Sequence, residues 1–75
     1  SIVFELPAAT AVGLRIYDVR GNLVRDLTNE IRPAGRQELV WDGADRSGRI
    51  VASGTYFARL TTAAETCTRP LTLVR

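Results

Sequence analysis

The 75-residue sequence predicts an all-β fold, a small immunoglobulin-like sandwich of two sheets and about seven short strands. Apolar and polar side chains alternate with a period of two in most segments, as they do in half-buried strands. Turn-forming residues separate these segments at intervals of roughly 8 to 12 residues. No window sustains the i, i+3, i+4, i+7 spacing of an amphipathic helix. Residues 1–75 are therefore expected to form one domain of this class.

The first two predicted strands have the clearest alternation. In residues 1–6 the side chains of even number are all apolar, and Pro7 ends the run. In residues 12–17 the same pattern places Leu14 and Ile16 on one face. Both segments are expected to turn their apolar face toward the core.

The next segments alternate less regularly. Turn formers fill residues 18–22, so a hairpin is predicted to lead into a third strand at residues 23–28. That strand breaks the alternation, which predicts a bulge or a short strand. A loop is predicted at residues 29–35, which contain a proline and a glycine. A fourth strand is predicted to follow it, with Leu39 and Trp41 on one face.

The densest turn signal lies in residues 42–49, and the last three predicted strands follow it. They are a short strand at residues 49–52, a long regular one at 55–62 and a terminal one at 66–74. Pro70 interrupts the terminal strand and cannot donate to a ladder. This strand is therefore expected to be an edge strand or to be bulged at Pro70.

Four residues are predicted to anchor the core: Leu14, Ile16, Trp41 and Tyr56. Each is a large apolar or aromatic residue within or beside a predicted strand. The Cys…Trp…Cys spacing of antibody domains is absent, so the likeness to immunoglobulins is one of architecture.

Composition gives little support to an enzyme. The chain has no histidine and a single cysteine, Cys67, so neither a Ser/His/Asp nor a Cys/His relay can be assembled. No cofactor is expected, because a phosphate-binding loop would need a lysine and the chain has none. We therefore expect a non-catalytic protein.

Calcium is the one metal that the residues bring into question. Asp42 and Asp45 lie in one glycine-containing loop, but the residues two and four after Asp42 are Ala44 and Arg46, which do not fit a calcium loop. The interpretation favoured over calcium is that both carboxylates accept turn amides, while the glycines supply unusual backbone angles.

The charge pattern and Cys67 limit the partners. Ten arginines are spread along the chain against eight acidic residues, a net charge of +2, so no basic patch for nucleic acid is expected. No apolar run approaches the roughly 20 residues that span a bilayer. Cys67 cannot close an intrachain disulfide; burial as a small apolar residue is favoured over an intermolecular disulfide.

The order of the motifs resembles a known family. The most specific stretch runs from Trp41 to Gly48 and continues from Val51 to Leu60. Its turn contains Asp42, Gly43, Asp45, Gly48 and Gly54. These motifs, with segments 2–7, 14–21, 24–27 and 33–35, resemble the Ig-like domain of flagellar hook-capping proteins. They also resemble the C-terminal sorting modules of proteins exported by the bacterial type IX secretion system.

This resemblance implies a secreted or cell-surface module at the C-terminal end of an exported bacterial protein. Its partner would be the export machinery or a component of the cell surface. The terminal strand, with Leu71, Leu73, Val74 and Arg75, looks like the family's sorting strand; Pro70 and the lack of lysine depart from that pattern.

Two alternatives stay open beside sorting. The domain is either a plain spacer or a self-assembling extracellular subunit that forms a homo-oligomer. In the second case the unpaired edges of the first and last strands would pair with those of other copies, with Cys67 as an intermolecular thiol.

Overall fold

Antiparallel strands build the whole framework of residues 2–74, which are the residues that the computed structural model describes. The described residues contain six strands: β1 (Ile2–Leu6), β2 (Thr10–Tyr17), β3 (Leu23–Arg32), β4 (Gly35–Leu39), β5 (Gly54–Thr61) and β6 (Thr66–Leu73). β1 pairs with β4 in a two-stranded sheet, and the larger sheet has the order β3-β2-β5-β6. The predicted all-β Ig-like sandwich is confirmed, with six strands in place of about seven.

The core lies between the two sheets and is centred on β2 and β5. Its buried cluster comprises Leu14, Ile16, Val24, Tyr56 and Ala58. Side chains from both strands of the small sheet pack against this cluster. Alternation explains the arrangement, because every second side chain of β2 and β5 points inward and is removed from water.

The third strand contains the bulge that its irregular pattern predicts, and it is long. The pairing of β2 with β3 shifts register twice, and β3 carries the extra residue each time, first Val24 and then Leu27. The period-two pattern fails at these residues because a bulge puts two residues opposite one.

The prediction of a loop at residues 29–35 is wrong. Residues 29–32 continue β3 because they pair with the first half of β2, and β4 already begins at Gly35. Only Pro33 and Ala34 separate the two strands. Gly35 has a φ of 109°, which favours glycine, so the chain reverses within two residues.

The fourth and fifth predicted strands also need correction. β4 ends at Leu39, so Trp41 lies just beyond the strand. Residues 49–52 form no strand; Ile50 makes a single isolated bridge to Ala44. Because the chain makes a tight turn between Ala44 and Ile50, residues 49–52 contact the preceding part of the same loop and belong to neither sheet.

The remaining differences concern strand ends. β2 begins two residues earlier than predicted, and β6 ends at Leu73, so Val74 is exposed beyond it. The predictions for Ser1 and Arg75 fall outside the described residues. β6 is an edge strand, as its proline predicts, and Pro70 sits opposite Phe57 in an unbroken register.

Candidate functional site

The longest connection between strands is the signature loop, residues 40–53, which carries the chain from β4 in the small sheet to β5 in the large one. Its centre is a tight turn closed by Asp45. One carboxylate oxygen, Oδ1, accepts the backbone N–H of Ser47 at 2.9 Å and that of Arg49 at 3.1 Å. The Ser47 hydroxyl donates to the same oxygen at 2.7 Å. A single aspartate thus orders the turn.

Backbone hydrogen bonds complete the Asp45 turn. The Asp45 N–H donates to the Arg49 carbonyl at 2.8 Å, and the Gly48 N–H donates to the Asp45 carbonyl at 3.0 Å. Gly48 has a φ of 88°, the left-handed conformation that such three-residue loops require. Gly48 is therefore needed for its backbone angle.

The rest of the signature loop is tied down on both sides of this turn. Asp42 Oδ1 accepts the Ala44 N–H at 3.0 Å and faces Arg25 Nη1 of β3 at 3.6 Å. The Arg46 N–H donates to the Val24 carbonyl of β3 at 3.0 Å. These contacts join the signature loop to the edge of the large sheet.

A second turn repeats this geometry between β2 and β3. Asp18 Oδ1 accepts the backbone N–H groups of Arg20 and Asn22, both at 2.9 Å. The Asp18 N–H donates to the Asn22 carbonyl, and the Gly21 N–H donates to the Asp18 carbonyl. Sequence reasoning placed a turn here but missed the equivalence, which the shared Asp-x-x-Gly spacing at 18–21 and 45–48 would have revealed.

The two turn aspartates have lowered pKa values. The Ser47 hydroxyl, which donates to the carboxylate, is the main cause that lowers the pKa of Asp45, and the turn amides add to it. For Asp18 the main cause is the hydrogen bond from the Asn22 backbone N–H. Both carboxylates therefore stabilise the folded turns most strongly in their ionised form.

The loop carboxylates do not come together as ligands. Asp42 and Asp45 are each occupied by N–H groups of their own turn. Among residues 2–74 no three His, Cys, Asp or Glu side chains are grouped closely enough to hold a metal ion. The same described residues contain no helix long and apolar enough to cross a membrane.

The four predicted core anchors occupy different depths. Leu14 and Ile16 are fully buried, and Tyr56 is 8% exposed. Trp41 is only partly buried, and its ring packs edge-on against Tyr56 with 5.1 Å between the centroids. The Trp41 indole N–H donates to the Ala44 carbonyl at 2.9 Å, and the Tyr56 hydroxyl donates to the Ala52 carbonyl at 2.7 Å. These two aromatic residues therefore fix both halves of the signature loop.

The terminal strand β6 has an inner and an outer face. Leu71 and Leu73 are partly buried and pack against the core, whereas Thr68 and Thr72 on the other face are exposed. Gly54, at the start of β5, has a φ of 152° and pairs with Leu73. The predicted sorting residues are thus split between the core side and Val74 beyond the strand.

A groove of about 570 Å³ opens between β1 and β6, and we call it the β1–β6 groove. Four consecutive residues of β1, 2–5, line one wall. β6 supplies the other wall, which includes Cys67, Arg69 and Leu71, and Leu14 and Leu60 lie along its inside. Cys67 is a free, half-buried thiol. The sequence did not predict this groove, because it depends on how the two sheets overlap.

The outer face of the large sheet carries a second, smaller concavity of about 470 Å³ around Gly13. The Arg59 guanidinium lies over the Tyr17 ring at 4.7 Å, and Arg15 Nε contacts Asp26 Oδ1 at 3.2 Å. These partners already occupy its cationic groups.

A comparison with known protein families gives a match over most of the chain. The family model of the FlgD Ig-like domain matches residues 1–65, a span that holds β1 to β5 and the entire signature loop and ends directly before β6. No curated protein matches the chain, and no solved structure matches it. Because the family model covers most of its length, this chain belongs to the family of FlgD Ig-like domains.

Proposed function

We propose that this chain is a non-catalytic Ig-like module by which an exported bacterial protein is sorted or attached at the cell surface. Membership of the family supports a structural, non-catalytic role, since FlgD Ig-like domains are structural modules associated with the flagellar hook. The resemblance to type IX sorting modules rests on the sequence alone. The terminal strand β6 lies beyond the residues that the family model matches.

One observation carries the proposal: β6 is an edge strand whose outer face and outer backbone edge are exposed. An unpaired edge offers N–H and C=O groups to a partner chain. Leu71 and Leu73 are engaged with the core, so export machinery or a surface component would contact the threonine-rich outer face.

The test is export of a reporter fused before the chain in a bacterium with a type IX system. Deleting residues 71–75 should trap the reporter in the periplasm, but that deletion also removes Leu71 and Leu73 from the core. A sharper variant is the double substitution Thr68→Glu and Thr72→Glu, which changes only the exposed face.

The matched control is Asn29→Glu with Ile31→Glu, two exposed residues of β3 at the opposite edge of the same sheet. Trapping of the β6 variant with normal export of the β3 variant supports the sorting role. Normal export of a β6 variant that is as stable as the wild type would overturn it.

A second candidate is a self-assembling extracellular subunit whose copies pair through strand edges. It is favoured by the small sheet, in which both strands have a free edge, and by the position of Cys67 in a groove between two edges. Light scattering over a wide concentration range should show masses above the monomer, and any assembly lost in reductant would place Cys67 at the contact. A monomer at all concentrations contradicts this candidate.

A further inference from the structure

The two sheets differ in width, and the sandwich is less covered on the side of β6. The small sheet has two strands and the large sheet has four, so part of the inner face of the large sheet has no strand opposite it. On the inner face of β6, Cys67 and Leu71 are partly exposed and Arg69 is exposed. The β1–β6 groove therefore lies where the small sheet lacks a further strand.

The free edge of β1 borders this groove. Four consecutive β1 residues line it, and consecutive strand residues point to opposite faces, so it is the edge of the strand that faces the opening. The other side of β1 is paired with β4 along its whole length. The outer N–H and C=O groups of β1 are therefore available to another strand.

β1 is also the edge with the least protection against pairing. Bulges interrupt β3, Pro70 interrupts β6, and β4 has the charged residues Arg36 and Glu38. Proteins use these same devices to prevent association between edges. In β1 the only such residue is Glu5.

The wall of the groove that β6 supplies has one positive charge between two apolar positions. Cys67, Arg69 and Leu71 follow one another at every second position, and apolar residues, Leu60 and Ala58, lie opposite the first two. Arg69 forms no ion pair within residues 2–74. A guanidinium that is covered by a partner needs an anion, because an unpaired charge is costly to remove from water. The complementary strand therefore has an acidic residue between two apolar ones, at alternate positions.

The size of the groove favours a single strand. Its volume is about 570 Å³, within the range of pockets that hold small ligands. A strand that belongs to a folded sandwich brings its own second sheet, and the groove has no room for that sheet. The occupant is therefore a short extended segment that is not already part of a sandwich.

We propose that the β1–β6 groove binds an extended segment of another protein, which pairs with β1 as the third strand of the small sheet. The inward side chains of this segment are apolar, acidic and apolar in turn, and the acidic one lies over Arg69. This surface differs from the outer face of β6, so the inference is independent of both functions proposed above.

The probe is the synthetic peptide Thr-Val-Thr-Glu-Thr-Val-Thr with blocked ends, which presents the same pattern whichever way the strand runs. Nuclear magnetic resonance of the isotope-labelled chain follows its binding up to about 1 mM peptide. Amide signals of β1 and β6 should shift, and those of β3 at the far edge should not. Absence of shifts, or shifts confined to β3, would overturn the proposal.

Methylated peptides test the backbone pairing. A strand directs the N–H groups of alternate residues to opposite edges, so only one set can reach β1. One peptide is N-methylated at its valines and glutamate, and the other at the three threonines that follow them. One of the two should lose binding while the other retains it, and the one that loses it reveals the direction of the strand. Any other result would overturn pairing with β1.

A charge exchange tests the role of Arg69. Arg69→Glu should bind the peptide at least about tenfold more weakly than the wild type, because like charges are brought together. It should prefer a peptide with lysine in place of glutamate, and that binding also shows that the variant is folded. The control Arg46→Glu changes the net charge equally on the exposed signature loop and should bind like the wild type. Equal affinity of Arg69→Glu and wild type for the glutamate peptide would overturn the acidic partner.

The thiol of Cys67 gives an independent measure of occupancy. Cys67 lines the groove and is partly exposed. A bound peptide places a valine over this thiol, so saturating peptide should slow its alkylation by iodoacetamide. An unchanged rate would overturn binding in the groove.

Discussion

Trp41 contacts its neighbours in two distinct ways. Its ring packs edge-on against Tyr56, and its N–H donates to the Ala44 carbonyl within the signature loop. Aromatic pairs of this geometry contribute beyond their buried area, and a hydrogen bond to a partly buried carbonyl adds about 1 kcal/mol. Trp41 thus stabilises the loop as well as the core.

Replacement of Trp41 separates these two contributions. We expect Trp41→Ala to lower the free energy of unfolding by about 3 kcal/mol, the low end of the range for buried aromatics, because Trp41 is only partly buried. Trp41→Phe keeps an aromatic ring and loses the N–H, so about 1 kcal/mol is expected. Urea unfolding followed by circular dichroism measures both; equal losses would mean that the ring contact contributes nothing.

The lowered pKa values of Asp18 and Asp45 couple stability to pH. In the unfolded chain an aspartate has a pKa of about 3.9, which is above its pKa in the folded turns. At a pH between these two pKa values the unfolded state therefore binds more protons than the folded state. The two carboxylates therefore stabilise the fold above about pH 4, and this contribution is lost as the pH falls through the folded-state pKa.

The variant Asp18→Asn with Asp45→Asn tests this coupling, because asparagine keeps an acceptor oxygen in each turn and does not ionise. We expect the wild type to be more stable near neutral pH and the difference to shrink steadily below about pH 4. Melting temperatures measured across this range give the comparison. A difference that does not change with pH would contradict the role of the charge.

At the scale of the elements, β6 combines a core face and a free face in alternation. Leu71 packs against the core opposite Tyr56, and its neighbour Thr72 points outward opposite Thr55. The same strand can therefore complete the sandwich and present a surface to a partner.

A pair of neighbouring substitutions distinguishes the two faces of β6. Leu71→Ala should reduce the free energy of unfolding by about 2 kcal/mol, as expected for a partly buried leucine. Thr72→Ala should cost less than about 0.5 kcal/mol, because surface changes rarely cost more. Chemical denaturation measures both. Similar losses would mean that β6 is rotated relative to the register described above.

Substitution of Gly48 tests whether the Asp45 turn requires glycine at this position. Gly48→Ala should destabilise by about 1 to 2 kcal/mol, because alanine is strained at a φ of 88°. Gly13→Ala is the control: its φ is not positive, and an added Cβ would meet no atom within 4 Å. Gly13→Ala should be neutral or stabilise slightly in thermal unfolding. A Gly48→Ala variant as stable as the wild type would contradict the turn geometry.

The elements also show where sequence reasoning succeeds. Period-two alternation correctly predicted β1, β2, β5 and β6, since each buries one face and exposes the other. It failed at residues 29–32, which are strand but largely exposed, because their pairing with β2 depends on backbone hydrogen bonds that leave no apolar pattern. It also failed at residues 49–52, where an apolar pair lies in a loop. The groove could not be predicted, because it arises from the overlap of two sheets.

For the molecule as a whole, β-strand pairing between distant segments governs folding. Paired residues of β2 and β5 are 40 to 48 positions apart in the sequence, and those of β1 and β4 are 29 to 37 positions apart. Loops of this length must close before such contacts form, so topologies of this kind fold slowly.

We expect the domain to refold in a single phase on a timescale of about milliseconds to seconds. Stopped-flow fluorescence of Trp41 follows this directly, because Trp41 is the single tryptophan in the chain. Slow phases from proline isomerisation are separable by double-jump experiments. Complete refolding within microseconds would show that local structure dominates.

The unequal size of the two sheets has a consequence for motion in the native state. β2 and β5 have a partner strand on both sides, whereas β1 and β4 pair only with each other. The amides of β1 and β4 should therefore exchange with deuterated solvent well before those of β2 and β5. Exchange of these amides requires the small sheet to detach briefly from the large one. Leu14 and Ala58 would then be exposed to solvent while the large sheet stays intact.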